Sequence, residues 1–394
     1  PLLIGGATCS RVHTAVKIAP NYSGPVVYVP DASRSVSVAQ GLLSDQAAKY
    51  IAELNADYAN VREQHANKKQ TPLVTLAQAR ANATPVSFDN YKPAKPKFIG
   101  RRVFKNFDLA ELEKYIDWAP FFQTWDLAGP FPAILEDAVV GVEAKKVYAD
   151  GQAMLKKIID NRWLTANAVV GLYPAQRVGD DIVLYADETR QQQVMTWRGL
   201  RQQTVKPNNN PNRCLADFVA DQTQAADYVG LFAVTAGLGA EKQEKRFIDA
   251  HDDYSAILFK ALADRLAEAF AECMHHRVRT DLWGYAADEA LSNDDLIKEK
   301  YQGIRPAPGY PACPDHTEKY SLFNLLNAEQ HTGISLTESL AMYPASSVCG
   351  WYFAHPQSQY FGLGKIQQDQ VIDYAKRKNQ SLEYITKWLQ PVID

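Results

Sequence analysis

Short runs of apolar residues open the chain and alternate with stretches of helical periodicity. Residues 2–4 form a continuous apolar run that ends at Gly5 and Gly6, and residues 26–29 form a second run. Such runs are typical of strands buried on both faces, as in parallel sheets. Helices are predicted at residues 10–19 and 33–43. The order strand, helix, strand, helix predicts the end of a doubly wound parallel sheet.

The pattern changes after residue 45. A helix is predicted over residues 45–67, and stretches rich in lysine and proline follow at residues 68–72 and 92–97. Proline lacks a backbone donor and lysine prefers water, so both stretches are typical of linkers. We therefore divide the chain into a C-terminal remnant of a Rossmann-like domain, a helix with a linker, and a larger domain, at residues 1–45, 46–99 and 100–394.

The larger domain has the pattern of a mixed, mostly antiparallel fold. A strong helix is predicted over residues 253–279, where Leu262, Leu266, Ala269 and Cys273 recur at helical spacing. Short β-rich runs surround this helix in the sequence. They lie at residues 169–173, 182–185, 193–197, 228–234, 347–354 and 359–366.

The last two of these runs predict a β-hairpin, because the turn-forming residues 355–358 separate them. The chain is thus predicted to be α+β: a large mixed domain with an antiparallel sheet and flanking helices, preceded by a partial Rossmann-like α/β segment. This order differs from the alternating strands and helices of common methyltransferases.

Composition excludes several classes of protein. The 394 residues carry 42 Lys and Arg against 45 Asp and Glu, and the net charge of -3 gives no general attraction to nucleic acid or to a membrane surface. Five scattered cysteines without a CxxC pair indicate a reducing, cytoplasmic setting. The sequence contains no apolar run of about 18 residues, which a membrane-spanning helix would need. Because the chain starts at Pro1 with a strand that needs neighbours, we expect a fragment of a longer protein.

The loop after the first strand is one candidate binding site. Gly5 and Gly6 lie where a strand gives way to the N-terminus of a helix, the usual place for nucleotide or anion recognition in Rossmann-like folds. Alternatively, the two glycines only form the turn and Ser10 caps the helix. Spacing alone leaves both interpretations open.

The most unusual local sequence is RPAPGYPACP at residues 305–314, with four prolines in ten residues. Proline forbids a regular helix or a central strand, so the backbone is a pre-set extended loop whose free polar groups need partners. Arg305 offers a rigid fork of donors for a carboxylate, and Gly309 permits close approach of a ligand. The alternative is a rigid connector with Arg305 in a surface ion pair.

Several segments together resemble one family. The run RPAPGYPACPDHTEK at residues 305–319 is similar to the S-adenosylmethionine (AdoMet) signature of the C-terminal reactivation domain of cobalamin-dependent methionine synthase, an Arg followed after three residues by Gly-Tyr. The segments at residues 115–125, 251–272 and 349–356 agree with it. The first residues, LLIGGATCSRVHTAVKIAPNY, resemble the end of the cobalamin-binding domain of the same enzyme. A match in order over nearly the whole chain is more specific than one motif.

The resemblance implies a binding site for AdoMet. Asp117 would meet the α-amino group of the ligand, Arg305 would hold its carboxylate, and Tyr360 would close the pocket. The adenosyl end would be lined by Ala307, Gly309 and Tyr310. A carboxylate and aromatic faces suit the sulfonium and ammonium groups of AdoMet, and a guanidinium fork suits its carboxylate.

Two further residues are implied, and alternatives accompany them. Glu268 would be a binding acid, although its position opposite the apolar face of the helix is typical of a solvated ion-pair face shared with Arg265 and Glu272. Phe361 stands where relatives are expected to carry a second tyrosine, so a stacking role is implied there without a hydroxyl contact. Asp117 could equally bond its own backbone at a helix end.

The remaining metal-ligand residue types do not predict a metal site. Cys313 and His316 have no recognised ligand spacing, and no second Cys or His pair lies nearby in the sequence. We interpret them as loop residues. His275 and His276 are interpreted as a surface pair on a helix.

The resemblance implies a methyltransferase to whose reaction this chain contributes one part. In the family, cob(II)alamin receives an electron from a flavodoxin-type donor, and the reduced cobalamin takes the methyl group of AdoMet. The implied partners are thus AdoMet, the cobalamin-binding domain of the same enzyme and the flavodoxin-type donor. Cobalamin would be a cofactor of the intact enzyme, and zinc would belong to upstream domains that are absent here. The DxHxxG motif of the lower axial histidine is not found, so the chain alone is not expected to complete the reaction.

Two alternatives from other classes remain. The chain could be an interaction module without a ligand of its own, docking on a corrinoid protein and a flavodoxin. It could also be an autonomous AdoMet methyltransferase, but that function would require more parallel sheet behind the first glycine turn.

Overall fold

A computed structural model describes residues 1–5, 10–29, 35–66 and 72–394. Contacts divide the chain into two compact units, Pro1–Pro72 and Leu73–Asp394. Residues 73–99, which the sequence assigned to a linker, lie by their contacts in the larger unit, and Val86 and Phe88 are buried in its core. Within the described ranges, no helix has the length and apolar character needed to cross a membrane. The assignment of the two ends of the chain to two family domains stays a prediction.

The first unit is a small α/β arrangement. Strands β1 and β2 pair in parallel, with Leu2 opposite Val26 and Ile4 opposite Tyr28. Its elements are β1 (Leu2–Gly5), α1 (Arg11–His13), β2 (Val26–Val29), α2 (Ser35–Leu43) and α3 (Ala47–Ala66). Helix α1 continues directly into a π-helical turn, Thr14–Ile18, and a 3-10 turn, Ala19–Asn21. The predicted order of strands and helices is confirmed here.

A few buried side chains hold the first unit together. Ala15, Tyr58 and Val61 form its core, so α3 packs against the helical stretch after β1. The Tyr58 hydroxyl accepts a hydrogen bond of 2.9 Å from the backbone N–H of Tyr28, which ties α3 to β2 as well. Burial of this small apolar cluster fixes the helix on the two-stranded sheet.

The second unit combines one large sheet with helices. Its strands are β3 (Gly100–Phe107), β4 (Thr165–Val178), β5 (Asp181–Tyr185), β6 (Gln193–Trp197), β7 (Asp227–Leu238), β8 (Ser335–Leu336), β9 (Met342–Tyr343) and β10 (Ser347–Tyr352). Its helices are α4 (Leu76–Ala81), α5 (Leu109–Glu113), α6 (Ala119–Gln123), α7 (Gly141–Asp160), α8 (Ala240–Asp249), α9 (Asp253–Arg277), α10 (Asn293–Ile297), α11 (Glu318–Leu326), α12 (Ala328–Thr332), α13 (Gln368–Lys378) and α14 (Leu382–Leu389).

The large sheet is antiparallel throughout, in the order β10-β7-β4-β5-β6, and β3 also pairs with β4. Strand β4 is long enough to pair with two strands on one edge. It pairs with β3 along its first half and with β5 along its second half. The other edge of β4 pairs with β7, where Val170 lies opposite Phe232. The predicted antiparallel sheet with flanking helices is confirmed.

Both faces of the sheet are buried. Side chains alternate along each strand, so neighbouring residues point into opposite faces. On β4, Ala168 and Val170 point into a cluster with α9 and α7, whereas Val169 and Tyr173 point into a second cluster with α11. Helix α9 therefore lies on one face of the sheet, and the side chain of Leu262 is fully buried there. Helix α9 on this face also supplies Glu272 and His275 to the candidate site.

The predicted hairpin of residues 347–354 and 359–366 is wrong in its second half. Strand β10 forms, and the turn is present, because Ser358 N–H donates to the His355 carbonyl at 2.9 Å. Residues 359–366 contain no strand, however, and β10 pairs with β7 along one edge. Its other edge is occupied by residues just before the proline-rich loop, where Ile304 pairs with Phe353. That pairing is non-local, which the local pattern could not show.

Candidate functional site: the Arg305 loop and its support

The edge of the sheet positions the proline-rich loop. The backbones of Ile304 and Phe353 exchange two hydrogen bonds of 3.0 Å, and the Trp351 N–H donates to the Pro306 carbonyl at 2.9 Å. Gly350 makes this approach possible, because a Cβ at that position would lie 2.6 Å from the Pro306 oxygen. Arg305 is therefore held on a short extended segment beside β10.

Beyond Arg305 the loop turns sharply at Gly309. The Gly309 N–H donates to the Cys313 carbonyl at 2.8 Å, and the Cys313 N–H donates to the Tyr310 carbonyl at 2.9 Å. Gly309 has a φ of +94°, and a Cβ there would lie 2.2 Å from the ring of His316. Both the positive φ and the lack of space for a Cβ require glycine at this position.

The segment with Tyr360 lies alongside this loop. The Tyr360 hydroxyl accepts a hydrogen bond of 2.9 Å from the backbone N–H of Arg305. Three residues later, the Leu363 N–H donates to the Pro311 carbonyl at 2.8 Å. Phe361, between these two contacts, packs its ring against the second core cluster. Residues 305–311 and 360–363 therefore form the two sides of one surface.

The Arg305 side chain is held from behind by groups of the helical layer. Its Nη1 lies 2.7 Å from Glu272 Oε2, donates to the Tyr301 hydroxyl at 2.9 Å and lies 3.2 Å from His275 Nδ1. Burial by itself opposes the charge of Arg305, but Glu272 and the nearby tyrosines outweigh it, so the pKa of Arg305 is raised. Arg305 thus stays protonated while only 20% of its side chain is exposed.

The contact with Arg305 determines the proton position on His275. Because the guanidinium can only donate, Nδ1 must accept, and the proton must lie on Nε2, 3.4 Å from the Tyr285 hydroxyl. His275 is fully buried and stacks on the ring of Tyr352 at 5.2 Å. Burial and the charges of Arg279 and Arg305 lower the pKa of His275 well below its ordinary value. The imidazole is therefore neutral at physiological pH.

Three buried polar atoms in this region have no hydrogen-bond partner among the described residues: Glu272 Oε1, Arg279 Nη1 and the Tyr352 hydroxyl. Glu272 Oε1 and Arg279 Nη1 face each other at 3.7 Å, too far for a hydrogen bond. The rest of the Arg279 fork is paired, because it bonds Glu289 twice at 2.8 Å. Unsatisfied buried polar atoms are uncommon and recur at functional sites.

A cavity of about 510 Å³ adjoins the far end of the loop. Gly309, Tyr310 and Gly362 line it on one side, and Trp388 of α14 lines it on another. Its volume is within the range of about 300–1,000 Å³ that is usual for small-molecule sites. A charged fork at one end of the two segments and an apolar, aromatic cavity at the other end suit a ligand with a carboxylate and a flat ring system.

The other predicted site residues have different positions. Asp117 is half-buried and accepts a hydrogen bond of 3.0 Å from the Ala119 N–H, so the alternative of a carboxylate bonded to its own backbone is observed. Its neighbours connect it to the helical layer, since the Tyr115 hydroxyl lies 2.9 Å from His276 Nδ1 and the Ile116 carbonyl accepts from Asn293 at 3.3 Å. Among the described residues, no hydrogen bond or ion pair joins Asp117 and Arg305.

Glu268 is exposed on α9, as its sequence position predicted. Its charge acts on the loop: burial raises the pKa of Tyr310, and the negative charge of Glu268 raises that pKa further. The Ala307 carbonyl accepts from the Tyr310 N–H at 3.2 Å and shapes the same turn.

The glycine turn of the first unit is only partly described. Gly5 ends β1, and Gly6 lies outside the described residues. The Ser10 side chain accepts from the His13 N–H, so the predicted cap of the helix is observed.

Two interpretations of α9 from the sequence are wrong. Glu272 does not lie on a solvated face, because it is 7% exposed and pairs with Arg305 and Arg279. His275 is not a surface residue, because it is fully buried. Both belong to the cluster behind Arg305, which the sequence pattern did not reveal. Their signal was the spacing of Glu272, His275 and Arg279, which follow one another at three and four residues and so share one side of α9 and of the helical turn after it.

The described part of the chain offers no cluster of three or more His, Cys, Asp or Glu that could hold a metal ion. Cys313 is buried, and its pKa is raised well above the ordinary thiol value by burial. The site therefore presents binding groups, and among its described residues we find no activated thiol nucleophile.

Comparison with known proteins identifies the family. Residues 108–379 match the family model described as the vitamin B12 dependent methionine synthase, activation domain. The chain is also similar to a crystal structure of the MetH reactivation domain bound to AdoHcy, with 52% sequence identity and a TM-score of 0.80. The match covers 82% of this chain and 99% of that one. The chain therefore belongs to the family of the activation domain of vitamin B12-dependent methionine synthase.

Proposed function

We propose that the second unit binds AdoMet at the Arg305 loop and presents its methyl group for the reactivation of cobalamin. The observation that carries this proposal is the paired arrangement of residues 305–311 and 360–363. This arrangement places the guanidinium of Arg305 at one end and the cavity beside Gly309 and Tyr310 at the other. The solved relative with bound S-adenosylhomocysteine supports it, because that ligand is AdoMet without the transferred methyl group.

In this proposal each end of the ligand has a matching group. The Arg305 fork takes the α-carboxylate, and the turn at Ala307, Gly309 and Tyr310 lines the adenosyl group, with the Phe361 ring beside it. Glu268, whose charge acts on Tyr310 of the same loop, would contribute negative charge toward the sulfonium or the ammonium. Asp117 would meet the ammonium through Oδ2, since its backbone hydrogen bond uses Oδ1.

The reaction as a whole needs more than this chain. When bound in the intact enzyme, cobalamin supplies the metal-centred methyl acceptor, and a flavodoxin-type donor supplies the electron. The sequence contains no DxHxxG histidine to ligate the cobalt, so we derive no step through cobalamin from these residues. We propose that the first unit is the remnant of the cobalamin-binding domain, that the enzyme acts in the cytoplasm, and that this chain binds and aligns the methyl donor.

Isothermal titration calorimetry with AdoMet tests the proposal. We expect saturable one-site binding to the wild type and a loss of about 10- to 150-fold in affinity for Arg305→Ala, because a charge-assisted hydrogen bond contributes about 1.5–3 kcal/mol. Arg246→Ala, which removes an exposed arginine of α8, is the matched control and should bind like the wild type. Absence of binding to the folded wild type would favour the docking module instead.

A further inference from the structure

We propose that Glu272 is a positioning residue for the ligand carboxylate: it holds Arg305 by Nη1, so that the Nε and Nη2 edge of the fork is aimed at the ligand. This inference rests on the proposed function. It goes beyond it by assigning a role in AdoMet binding to a buried residue that lies behind Arg305.

The contacts of Arg305 all lie on one side of its fork. Among the described residues, each hydrogen bond and ion pair of the Arg305 side chain uses Nη1, with partners Glu272, Tyr301 and His275. An arginine fork offers a second pair of donors along its Nε and Nη2 edge, and a carboxylate can accept both at once. Nη1 carries two N–H groups, which contact Tyr301 and His275, and Glu272 lies beside it as the counter-charge. These contacts fix the plane of the guanidinium and leave the Nε and Nη2 edge for a ligand.

The charge of Glu272 balances the buried guanidinium. Arg279 and Arg305 lie on either side of Glu272, at 3.7 Å and 2.7 Å from its two carboxylate oxygens. Without Glu272, Arg305 would lack its counter-charge in a mostly buried place, where an unpaired charge is strongly unfavourable. Glu272 therefore permits the guanidinium to remain behind the loop instead of turning out to water.

The burial of Glu272 indicates that it orients Arg305 and does not compete with the ligand for it. Glu272 could in principle compete with the ligand carboxylate for Arg305. It is 7% exposed and is anchored in α9, three residues before His275, so it cannot leave the cluster when a ligand arrives. A fixed carboxylate beside Nη1 and a ligand carboxylate on Nε and Nη2 contact different nitrogens of the fork, so one does not displace the other.

The test compares two ligands in one calorimetric experiment with the full chain. Decarboxylated AdoMet keeps the sulfonium, the amine and the adenosyl group but lacks the carboxylate. In the wild type, AdoMet should bind about tenfold or more tightly than decarboxylated AdoMet. In Glu272→Gln this ratio should fall by about fivefold or more, while the Kd for decarboxylated AdoMet changes by less than about twofold.

Two further variants complete the experiment. Tyr301→Phe removes one bond to Nη1 and keeps the buried charges, so it should reduce the ratio in the same direction by a smaller factor. It also gives a result if Glu272→Gln fails to fold. Glu244→Gln, which removes a carboxylate paired with Lys260 outside this cluster, should leave the ratio unchanged.

The possible outcomes are distinct. An equal loss of affinity for both ligands in Glu272→Gln would show a merely structural role and overturn the inference. Tighter binding of AdoMet in Glu272→Gln would show competition and also overturn it. If the folded wild type binds neither ligand, the proposed function fails, and the positioning role fails with it.

Discussion

Two buried arginine clusters of the second unit differ in how completely they are satisfied. Arg201, 2% exposed, donates from all three of its side-chain nitrogens, to Asp180, to Asp217 and to the Asn212 carbonyl, at 2.7–2.9 Å. Among the described residues, the Arg305 side chain is held through Nη1 alone, and 20% of it is exposed. Both clusters pair a buried arginine with carboxylates, but among the described residues only Arg201 has partners on all three of its side-chain nitrogens.

The difference is consistent with a structural role for the Arg201 cluster and with the binding role proposed for the Arg305 cluster. Both carboxylate oxygens of Asp217 accept from Arg201, so the Arg201 cluster has no capacity left for a ligand. The Arg305 cluster retains an unused guanidinium edge and, among the residues that the structure describes, unpartnered atoms on Glu272, Arg279 and Tyr352. A buried polar network that is fully satisfied rigidifies the fold, whereas one with spare donors beside a surface is suited to binding.

The largest effect should follow from Arg201→Met. It leaves Asp180 and Asp217 buried without their counter-charge, and breaking a buried pair in this way is unfavourable by about 3–5 kcal/mol. Urea unfolding should show this loss of stability. The Kd for AdoMet of the folded variant should stay within about twofold of the wild type, and a large change in Kd would contradict the division between the clusters.

Arg305→Ala should show the reverse pattern. Its loss leaves Glu272 with Arg279 alone, so we expect a smaller loss of about 1–3 kcal/mol in the free energy of unfolding, combined with the loss of AdoMet affinity. Parallel urea titration and calorimetry measure both quantities. A stability loss as large as that of Arg201→Met with unchanged affinity would mean that both clusters are structural.

The pH dependence should separate the clusters further. The pKa of His275 is lowered by burial and by Arg279 and Arg305, and less by His276. In the unfolded chain this histidine binds a proton near pH 6.5, whereas in the folded chain it stays neutral. The free energy of unfolding therefore decreases as pH falls below about 6.5. Between pH 7 and pH 5.5 this histidine should account for a loss of up to about 1.2 kcal/mol.

Urea unfolding of His275→Gln at the two pH values measures that contribution. The difference in stability between pH 7 and pH 5.5 should be smaller in the variant than in the wild type, because the buried imidazole is gone. His65→Gln, which changes an exposed histidine of α3, is the control. Identical pH differences in all three proteins would contradict a neutral, buried His275.

The smallest effect should follow from Tyr360→Phe. It removes the hydroxyl that accepts from the Arg305 N–H and keeps the ring, so the backbone of the loop loses one hydrogen bond, which contributes about 1 kcal/mol. AdoMet affinity should fall by about threefold to tenfold. Tyr320→Phe on the exposed side of α11 should bind AdoMet like the wild type.

Much of the fold could be predicted from the sequence, because local periodicity determines it. Strand β6 and the start of α9 agree with the prediction, and the β-rich runs of β4 and β7 fall within those strands. The strand predicted at residues 359–366 failed because its place beside β10 is occupied by Ile304 and Pro306, which are about 50 residues away in the sequence.

The candidate site could be predicted only in part, for the same reason. Arg305 and Gly309 stand in a recognisable motif, the family resemblance implied Tyr360, and the structure places Arg305 and Tyr360 in contact. Glu272 and His275 belong to a helix whose polar face is covered by residues 301–305 and by Tyr352. Burial produced by a distant segment has no local signature, so both residues were predicted to be exposed.

A crystal structure of the chain with AdoMet tests the central claim most directly. We predict ligand density along residues 305–310 and 360–361, with the carboxylate on the Nε and Nη2 edge of Arg305 and the adenosyl group beside Gly309 and Tyr310. Ligand bound at the turn after Gly5, or anywhere without contact to Arg305, would contradict it.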